Sequence, residues 1–166
     1  SKQYKQLPGF EYIGKQGVYE IYENKYYIPM GFIYDYYFDK EQLGAVDEKI
    51  DALYVEALYL TDEQIEKYSK YMEELPLTKK FELTHENYLT ACERLQKTAC
   101  HYFKYDNYGF TAKATVSDTN LMVFSVPYDS GWSATVNGKS VEIEKVQSGF
   151  MAVLVPEGEV DIRFSY

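Results

Sequence analysis

The feature that most constrains the fold of this chain is the residue pattern of its last third. Residues 110–116 and 160–164 alternate apolar and polar side chains with the period of two that is typical of strands, and 120–126 is apolar on both faces. Asn137-Gly138 predicts a tight hairpin, because a type I′ turn needs a positive φ at both central positions. Short strands at this spacing predict an antiparallel β-sandwich or jelly roll from about residue 100 to residue 166.

The N-terminal part predicts further strands across residues 10–38, where aromatic residues are frequent. Asn24-Lys25 is typical of a turn, after which residues 26–28 resume the strand pattern. Pro29 and Gly31 interrupt it, and an aromatic run follows at 32–38.

About three helices are predicted between these strand regions. Apolar residues recur at helical spacing across 47–75, with a capping box at 61–64 and a stop at Pro76. A third helix is predicted at about 85–98, with Thr84 as its N-cap.

Together these patterns predict an α+β fold that is mainly β. Residues 1–99 form an N-terminal strand-plus-helix segment packed on the sandwich, and 100–166 form the C-terminal β-sandwich strands. We expect the two to make one compact unit over 1–166, because a chain of this length buries a sizeable core.

The two cysteines, Cys92 and Cys100, are predicted to be free thiols. Eight residues of helix separate two Cα atoms by roughly 12 Å. A disulfide requires about 4.4–6.8 Å, so the pair is too far apart to be bridged.

Charge limits the class of partner. The formal net charge is −9 and the pI about 4.8, so the surface repels phosphate backbones and nucleic acid is not expected as a partner. Adhesion of this acidic surface to anionic lipid is equally disfavoured. No stretch approaches about 18 apolar residues, and no apolar run follows the first residues as in a signal peptide.

No catalytic residues, cofactor or metal site are predicted. His85 and His101 lack the spacing of metal ligands, and a packed cysteine with a surface histidine explains Cys92 and His101 better than a nucleophile–base pair. No glycine-rich phosphate loop is present. Asp118 and Asn120, with residues 106–107, suit a structural Ca²⁺ or ordinary turns, and turn chemistry is the better explanation.

Two clusters are candidates for ligand binding. Tyrosine accounts for 19 of 166 residues, and its apolar ring with a polar tip suits both sheets and binding surfaces. The predicted ligand-binding residues are Tyr34, Asp35, Tyr36, Tyr128, Asp129 and Trp132. In the first cluster the alternatives are a glycan-binding surface and ordinary sheet packing. In the second they are a sugar platform and a tryptophan that closes one end of the sandwich.

The block FSVPYDSGWSATVNGK, residues 124–139, resembles the FSIPYxxGWxxxVDGK block of the bacterial YfhO family. The likeness continues through Gly149-Phe150 and 155–158 to a last strand ending in Tyr166. Upstream, NKYYIPMGF at 24–32 resembles that family's NxYALPLGF stretch. The resemblance extends from about residue 15 to the end.

The resemblance implies a soluble extracytoplasmic region of a multi-spanning bacterial membrane protein. Such proteins are similar to glycosyltransferases that glycosylate cell-wall polymers such as lipoteichoic acid. It implies that the catalytic carboxylates lie outside this chain, and the first hypothesis for the chain is therefore an accessory, glycan-recognising role. The implied partners are a cell-surface glycan or polymer and the transmembrane part of the same protein. The alternative is a structural or protein-interaction module without glycan affinity.

Overall fold

The computed structural model describes residues 9–44, 50–76 and 84–166. In chain order the strands are β1 (Phe10–Gln16), β2 (Tyr19–Asn24), β3 (Phe32–Ile33), β4 (Tyr36–Phe38), β5 (Leu58–Tyr59), β6 (Glu73–Glu74), β7 (Tyr102–Asp106), β8 (Gly109–Val116), β9 (Asn120–Pro127), β10 (Ser133–Val136), β11 (Lys139–Val141), β12 (Glu144–Val146), β13 (Phe150–Val155) and β14 (Gly158–Ser165). The helices are α1 (Lys40–Gly44), α2 (Ile50–Glu56), α3 (Asp62–Tyr68) and α4 (His85–Thr98).

Two antiparallel sheets form the predicted β-sandwich, and the prediction of a mainly β fold is confirmed. One sheet has the order β11-β10-β14-β8-β7 and the other β12-β13-β9-β3. Their facing side chains make one apolar core, in which the rings of Phe110 and Phe164 stack at 4.6 Å and Phe124 lies edge-on to Phe164. Aromatic pairs in these geometries add to the stabilisation from burial alone.

The predicted hairpin at Asn137-Gly138 is confirmed. Both residues have positive φ, 51° and 76°, and β10 pairs with β11 across them. The strand predicted to continue from Lys139 to Val146 is instead divided, because β11 and β12 belong to different sheets. The chain passes from one layer of the sandwich to the other between them.

The turn between the two N-terminal strands lies at a different position from the one predicted. β1 and β2 form a separate two-stranded sheet, and the turn lies at Gly17-Val18, where Gly17 has a φ of 61°. The predicted turn at Asn24-Lys25 falls just after β2, and residues 26–28 form no strand. The run 32–38 is two strands: β3 pairs with β9 in the sandwich, and β4 pairs with β5 and β6 in a small parallel sheet.

The helix predictions are partly confirmed. The capping box is present: Gln64 N donates to Thr61 Oγ1 at 3.3 Å, and Thr61 N donates to Gln64 Oε1 at 3.1 Å. α4 and its N-cap Thr84 match the prediction. The predicted extent of the first two helices is wrong: the second helix, α3, ends at Tyr68 and does not reach Leu75, and Leu58, assigned to the helical stretch before it, lies in β5. Residues 47–49 lie outside the described part of the chain.

The early end of α3 has a tertiary cause. Glu73 N donates to Asp35 O at 3.0 Å and Leu75 N donates to Tyr37 O at 2.8 Å, which extends the parallel sheet. Leu75 is buried in this pairing, so strand hydrogen bonds and burial together override the helical spacing of the apolar residues. The prediction of two free thiols is confirmed, and both cysteines are buried.

Candidate functional site

A groove of about 600 Å³ lies where the small parallel sheet meets one end of the sandwich. Three chain segments supply its walls: the start of β4, the connection from α3 to β6, and the turn between β8 and β9. Its lining residues are Asp35, Tyr36, Lys70, Tyr71, Met72, Glu73, Asp118, Thr119 and Asn120. It therefore contains two of the predicted ligand-binding residues, Asp35 and Tyr36.

Backbone pairing holds the first two walls together. Tyr36 of β4 and Glu73 of β6 are direct partners in the parallel ladder. After α3 ends, Tyr71 N donates to Tyr68 O at 2.9 Å, which turns the chain toward β6. Tyr36 and Tyr71 are half-buried and line the groove.

The third wall is fixed by a buried amide. Asn120 is only 7% exposed; its Nδ2 donates to Tyr34 O at 3.3 Å, and its Oδ1 accepts from Leu121 N at 2.7 Å. Thr119 Oγ1 accepts from Glu157 N at 3.3 Å. These bonds tie the β8–β9 turn to the chain before β4 and to the turn before β14, leaving Asp118 exposed at the rim.

The groove carries more negative than positive charge. Asp35, Glu73 and Asp118 are exposed carboxylates, and Lys70 is the cation among the lining residues. Lys70 Nζ lies 4.9 Å from the centre of the Tyr71 ring, which is cation–π geometry. Arg94 Nε approaches Asp35 Oδ2 at 3.8 Å from outside the groove.

Tyr34 is separated from its two predicted companions. Its side chain is 6% exposed and lines a second, smaller cavity of about 230 Å³ together with Tyr54, Gln147 and others. Its hydroxyl donates to Tyr54 O at 3.1 Å and accepts from Gln147 Nε2 at 3.4 Å. Burial raises the pKa of Tyr34, and the bond from Gln147 opposes this. The side chain of Tyr34 is therefore part of the protein interior and does not line the groove.

Gln147 organises the second cavity from a left-handed backbone conformation. Its φ is 47°, which is uncommon for a residue other than glycine. Its Oε1 accepts from Tyr59 N at 2.8 Å, and its Nε2 donates to the backbone carbonyls of Tyr54 and Ala57 at 3.1 and 3.2 Å. One side chain therefore satisfies backbone groups at the end of α2 and in β5.

The second predicted cluster forms an aromatic platform at the other end of the sandwich. Trp132 is half-buried against the rings of the core, and Tyr166 lies edge-on to it at 5.0 Å. Tyr166 Oη donates to Asp129 Oδ1 at 3.3 Å, and the same oxygen accepts from Gly131 N at 2.8 Å. Tyr128, 38% exposed, adjoins Asp129 in the chain. Trp132 therefore closes an end of the core and presents part of its surface outward.

The groove and the platform are separate surfaces. Asn120 begins β9 at the groove, and Pro127 ends it beside Tyr128. A strand of this length spans roughly 23 Å, so one small ligand cannot contact both surfaces. The six predicted residues are therefore divided among the groove, the second cavity and the platform.

Sequence reasoning missed the contribution of Lys70, Tyr71 and Glu73. The prediction placed all three in the second helix, because no glycine or proline occurs between Tyr68 and Pro76 to end that helix earlier. Tyr166, the platform's most exposed ring at 68%, was noted only as the end of the last strand.

The described residues offer no group of three or more histidine, cysteine, aspartate or glutamate side chains able to hold a metal ion. Asp106, considered above for calcium, is held by Arg163 at 2.7 and 3.1 Å, and that guanidinium lowers its pKa to about 2. Cys92 is 1% exposed, and burial raises its pKa, which opposes nucleophilic chemistry.

Comparisons with known proteins give one match. No curated protein and no solved structure matches the chain. Within the described residues, no helix has the length and apolar character needed to cross a bilayer. The model of a family described as bacterial membrane protein YfhO matches residues 64–166, which leaves the upstream likeness at 24–32 as a prediction. Because that match spans more than half of the chain, including two of the groove's three walls and the platform, the chain belongs to the YfhO family of bacterial membrane proteins.

Proposed function

We propose that this chain is an accessory, glycan-recognising domain on the extracytoplasmic side of a bacterial membrane protein, and that it binds a cell-surface polymer in the groove. The observation that carries the proposal is the meeting of two half-buried tyrosine rings, Tyr36 and Tyr71, with the exposed carboxylates of Asp35, Glu73 and Asp118 in one concavity. Concave sites with apolar walls and a few polar groups are the usual places for small-molecule recognition.

The chemistry of a sugar fits these groups. A sugar ring has C–H faces that pack on an aromatic ring, and hydroxyl groups at its rim that donate hydrogen bonds to carboxylates. Tyr36 and Tyr71 supply the rings, and Asp35, Glu73 and Asp118 supply the acceptors. The domain supplies binding, and the reaction of a glycosyltransferase-like parent takes place on groups outside it.

The charge of the groove selects among cell-surface polymers. Three carboxylates outnumber the single ammonium of Lys70 among the lining residues. A phosphodiester backbone is repelled there, whereas neutral or amine-bearing sugars are not. A teichoic polymer would therefore enter the groove through its sugar substituents.

The aromatic platform is a second surface for the same function. It combines the rings of Trp132 and Tyr166 with the carboxylate of Asp129, next to Tyr128 in the chain, and so also offers aromatic rings and a carboxylate. Because Trp132 is the single tryptophan of the chain, its fluorescence reports on the platform and not on the distant groove.

The test is a titration of the chain with neutral oligosaccharides, amine-bearing oligosaccharides and purified teichoic acids, followed in parallel by calorimetry and Trp132 fluorescence. Groove binding gives calorimetric heat without fluorescence quenching, and we expect Tyr71→Ala or Asp118→Asn to weaken it about tenfold or more, by loss of one ring or one charged acceptor. Saturable quenching that Tyr128→Ala or Trp132→Ala abolishes would place binding on the platform instead.

Tyr105→Ala is the matched control, because Tyr105 is 80% exposed on β7 and belongs to neither surface. No heat and no quenching across the panel, from a chain with an intact unfolding transition, would contradict glycan recognition.

A flat response would favour the second candidate function, a structural or protein-interaction module. The observation that favours this second function is the β1–β2 hairpin, which carries several exposed aromatic side chains.

A further inference from the structure

The hairpin of β1 and β2 projects from the rest of the fold. Among the residues that the structure describes, its two strands pair only with each other, as a two-stranded sheet. Every residue from 10 to 25 except Gly14 is exposed, so both faces of the hairpin meet solvent. A two-stranded hairpin is marginally stable in water by itself, so covering these faces would stabilise it.

The exposed side chains of the hairpin are unusually apolar. Seven large apolar residues exceed a third of their full exposure: Phe10, Tyr12, Ile13, Val18, Tyr19, Ile21 and Tyr22. The most exposed of them are at the turn, with Val18 at 84% and Tyr19 at 76%. Contiguous exposed apolar surface of this kind marks an interaction site.

The charge of the hairpin differs from that of the whole chain. Lys15 and Glu20 are direct partners in the register, and the turn residues between them, 16–19, are uncharged. At the base, Lys25 forms ion pairs with Glu11, at 3.2 Å, and with Glu23. The outer half of the hairpin is thus neutral on a chain of net charge −9. It is a part of the surface that anionic headgroups do not repel.

The base of the hairpin is attached to α4. Gln96 Nε2 donates to Lys25 O at 3.2 Å and to Tyr27 O at 2.8 Å. The rings of Tyr26 and Tyr88 meet edge-on at 6.5 Å. The hairpin is therefore anchored to the folded body, with its turn pointing outward.

We propose that the turn of this hairpin, residues 15–20, inserts into the interfacial layer of a phospholipid bilayer. Tyrosine concentrates at membrane–water interfaces, because its ring prefers the apolar side and its hydroxyl the headgroup region. Tyr19 meets that requirement beside Val18 at the tip, and Tyr12 and Tyr22 are paired farther along the same hairpin. The family consists of membrane proteins, so a domain of such a protein lies close to a bilayer. This inference does not depend on glycan binding.

The experiment measures co-sedimentation of the chain with vesicles of phosphatidylcholine alone and of phosphatidylcholine with phosphatidylglycerol. We expect binding to both, and a partition coefficient reduced about tenfold or more in a Val18→Asp/Tyr19→Ser variant, which removes the apolar tip. A Tyr105→Ser/Tyr108→Ser variant is the matched control. These two side chains are 80% and 73% exposed at the β7–β8 hairpin, and their loss is expected to leave binding unchanged.

Equal unfolding midpoints for the wild type and the two double variants establish that the variants fold. A single Val18→Ser substitution provides a milder second test at the tip. Absence of wild-type binding to both kinds of vesicle would overturn the proposal, as would an equal loss in the Tyr105/Tyr108 control. A wild-type dimer that Val18→Asp/Tyr19→Ser dissociates, without vesicle binding, would assign the hairpin to a second copy of the chain and overturn it too.

Discussion

The hydroxyl of Tyr68 donates a 2.7 Å hydrogen bond to Glu144 Oε1, which joins the end of α3 to β12 of the sandwich. Gln64 Nε2 donates to the other carboxylate oxygen at 2.9 Å, and Lys67 Nζ lies 3.2 Å from Oε1. Glu144 and Tyr68 are 8% and 7% exposed. A nearly buried carboxylate is therefore satisfied by three side chains of one helix, and this fixes the segment that leads into the groove.

Removing this contact is expected to destabilise the fold. We predict that Tyr68→Phe or Glu144→Gln lowers the free energy of unfolding by about 1–3 kcal/mol, the usual cost when a buried charged group loses a hydrogen bond. Denaturant unfolding measures it. Glu142→Gln is the control, because Glu142 is largely exposed and meets Lys67 at 3.4 Å, so a change within about 0.5 kcal/mol is expected. Equal losses in Glu142→Gln and Glu144→Gln would contradict the prediction.

The same contact predicts a pH dependence. Burial alone would raise the pKa of Glu144, but bonds from Gln64, Tyr68 and Lys67 outweigh it and lower the pKa. A carboxylate with a lowered native pKa stabilises the fold above its ordinary value of about 4.3, and this contribution disappears as pH falls through the native value. The stability difference between wild type and Glu144→Gln should therefore be largest near neutral pH and shrink in acid. A difference that grows in acid would contradict the assignment.

Two glycines with the same backbone angle should respond differently to alanine. Gly31 and Gly138 both have a φ of 76°. A Cβ at Gly31 would overlap Cys100 Sγ and lie 2.8 Å from the Phe124 ring, whereas a Cβ at Gly138 meets nothing within 4 Å. We predict that Gly138→Ala costs about 1–2 kcal/mol for the left-handed backbone. Gly31→Ala should cost about 1–3 kcal/mol more, from overpacking. Thermal or denaturant unfolding measures both, and equal losses would be inconsistent with this packing.

The two thiols are predicted to be inert in the native state. Burial raises the pKa of Cys100 to about 12 and also raises that of Cys92. Because the thiolate is the reactive form, we expect a thiol reagent at mildly alkaline pH to label the folded chain more than about a hundredfold more slowly than the unfolded chain. Unfolding in denaturant should then expose two thiols. Rapid labelling of the folded chain would contradict the burial of the two thiols. Absence of reactive thiols after unfolding without reductant would contradict their being free.

The elements that could be predicted from the sequence depend on neighbours along the chain. The strands of the last third follow from alternation, because one face of each strand must be buried. Asn137-Gly138 specifies its hairpin because both residues adopt positive φ, and Thr61 and Thr84 cap their helices through bonds that reach three residues ahead. The free cysteines follow largely from helix geometry, because α4 continues from Cys92 to Thr98, two residues before Cys100.

What the tertiary structure decided depends on contacts between distant segments. α3 ends at Tyr68 because the chain beyond it pairs with β4, which no local signal indicates. That pairing brings Tyr71 and Glu73 to Asp35 and Tyr36 and so creates the groove, while the buried hydroxyl of Tyr34 turns to the interior. Local rules determine which backbone conformations a segment adopts. Burial and hydrogen bonding across the fold determine which side chains share a surface.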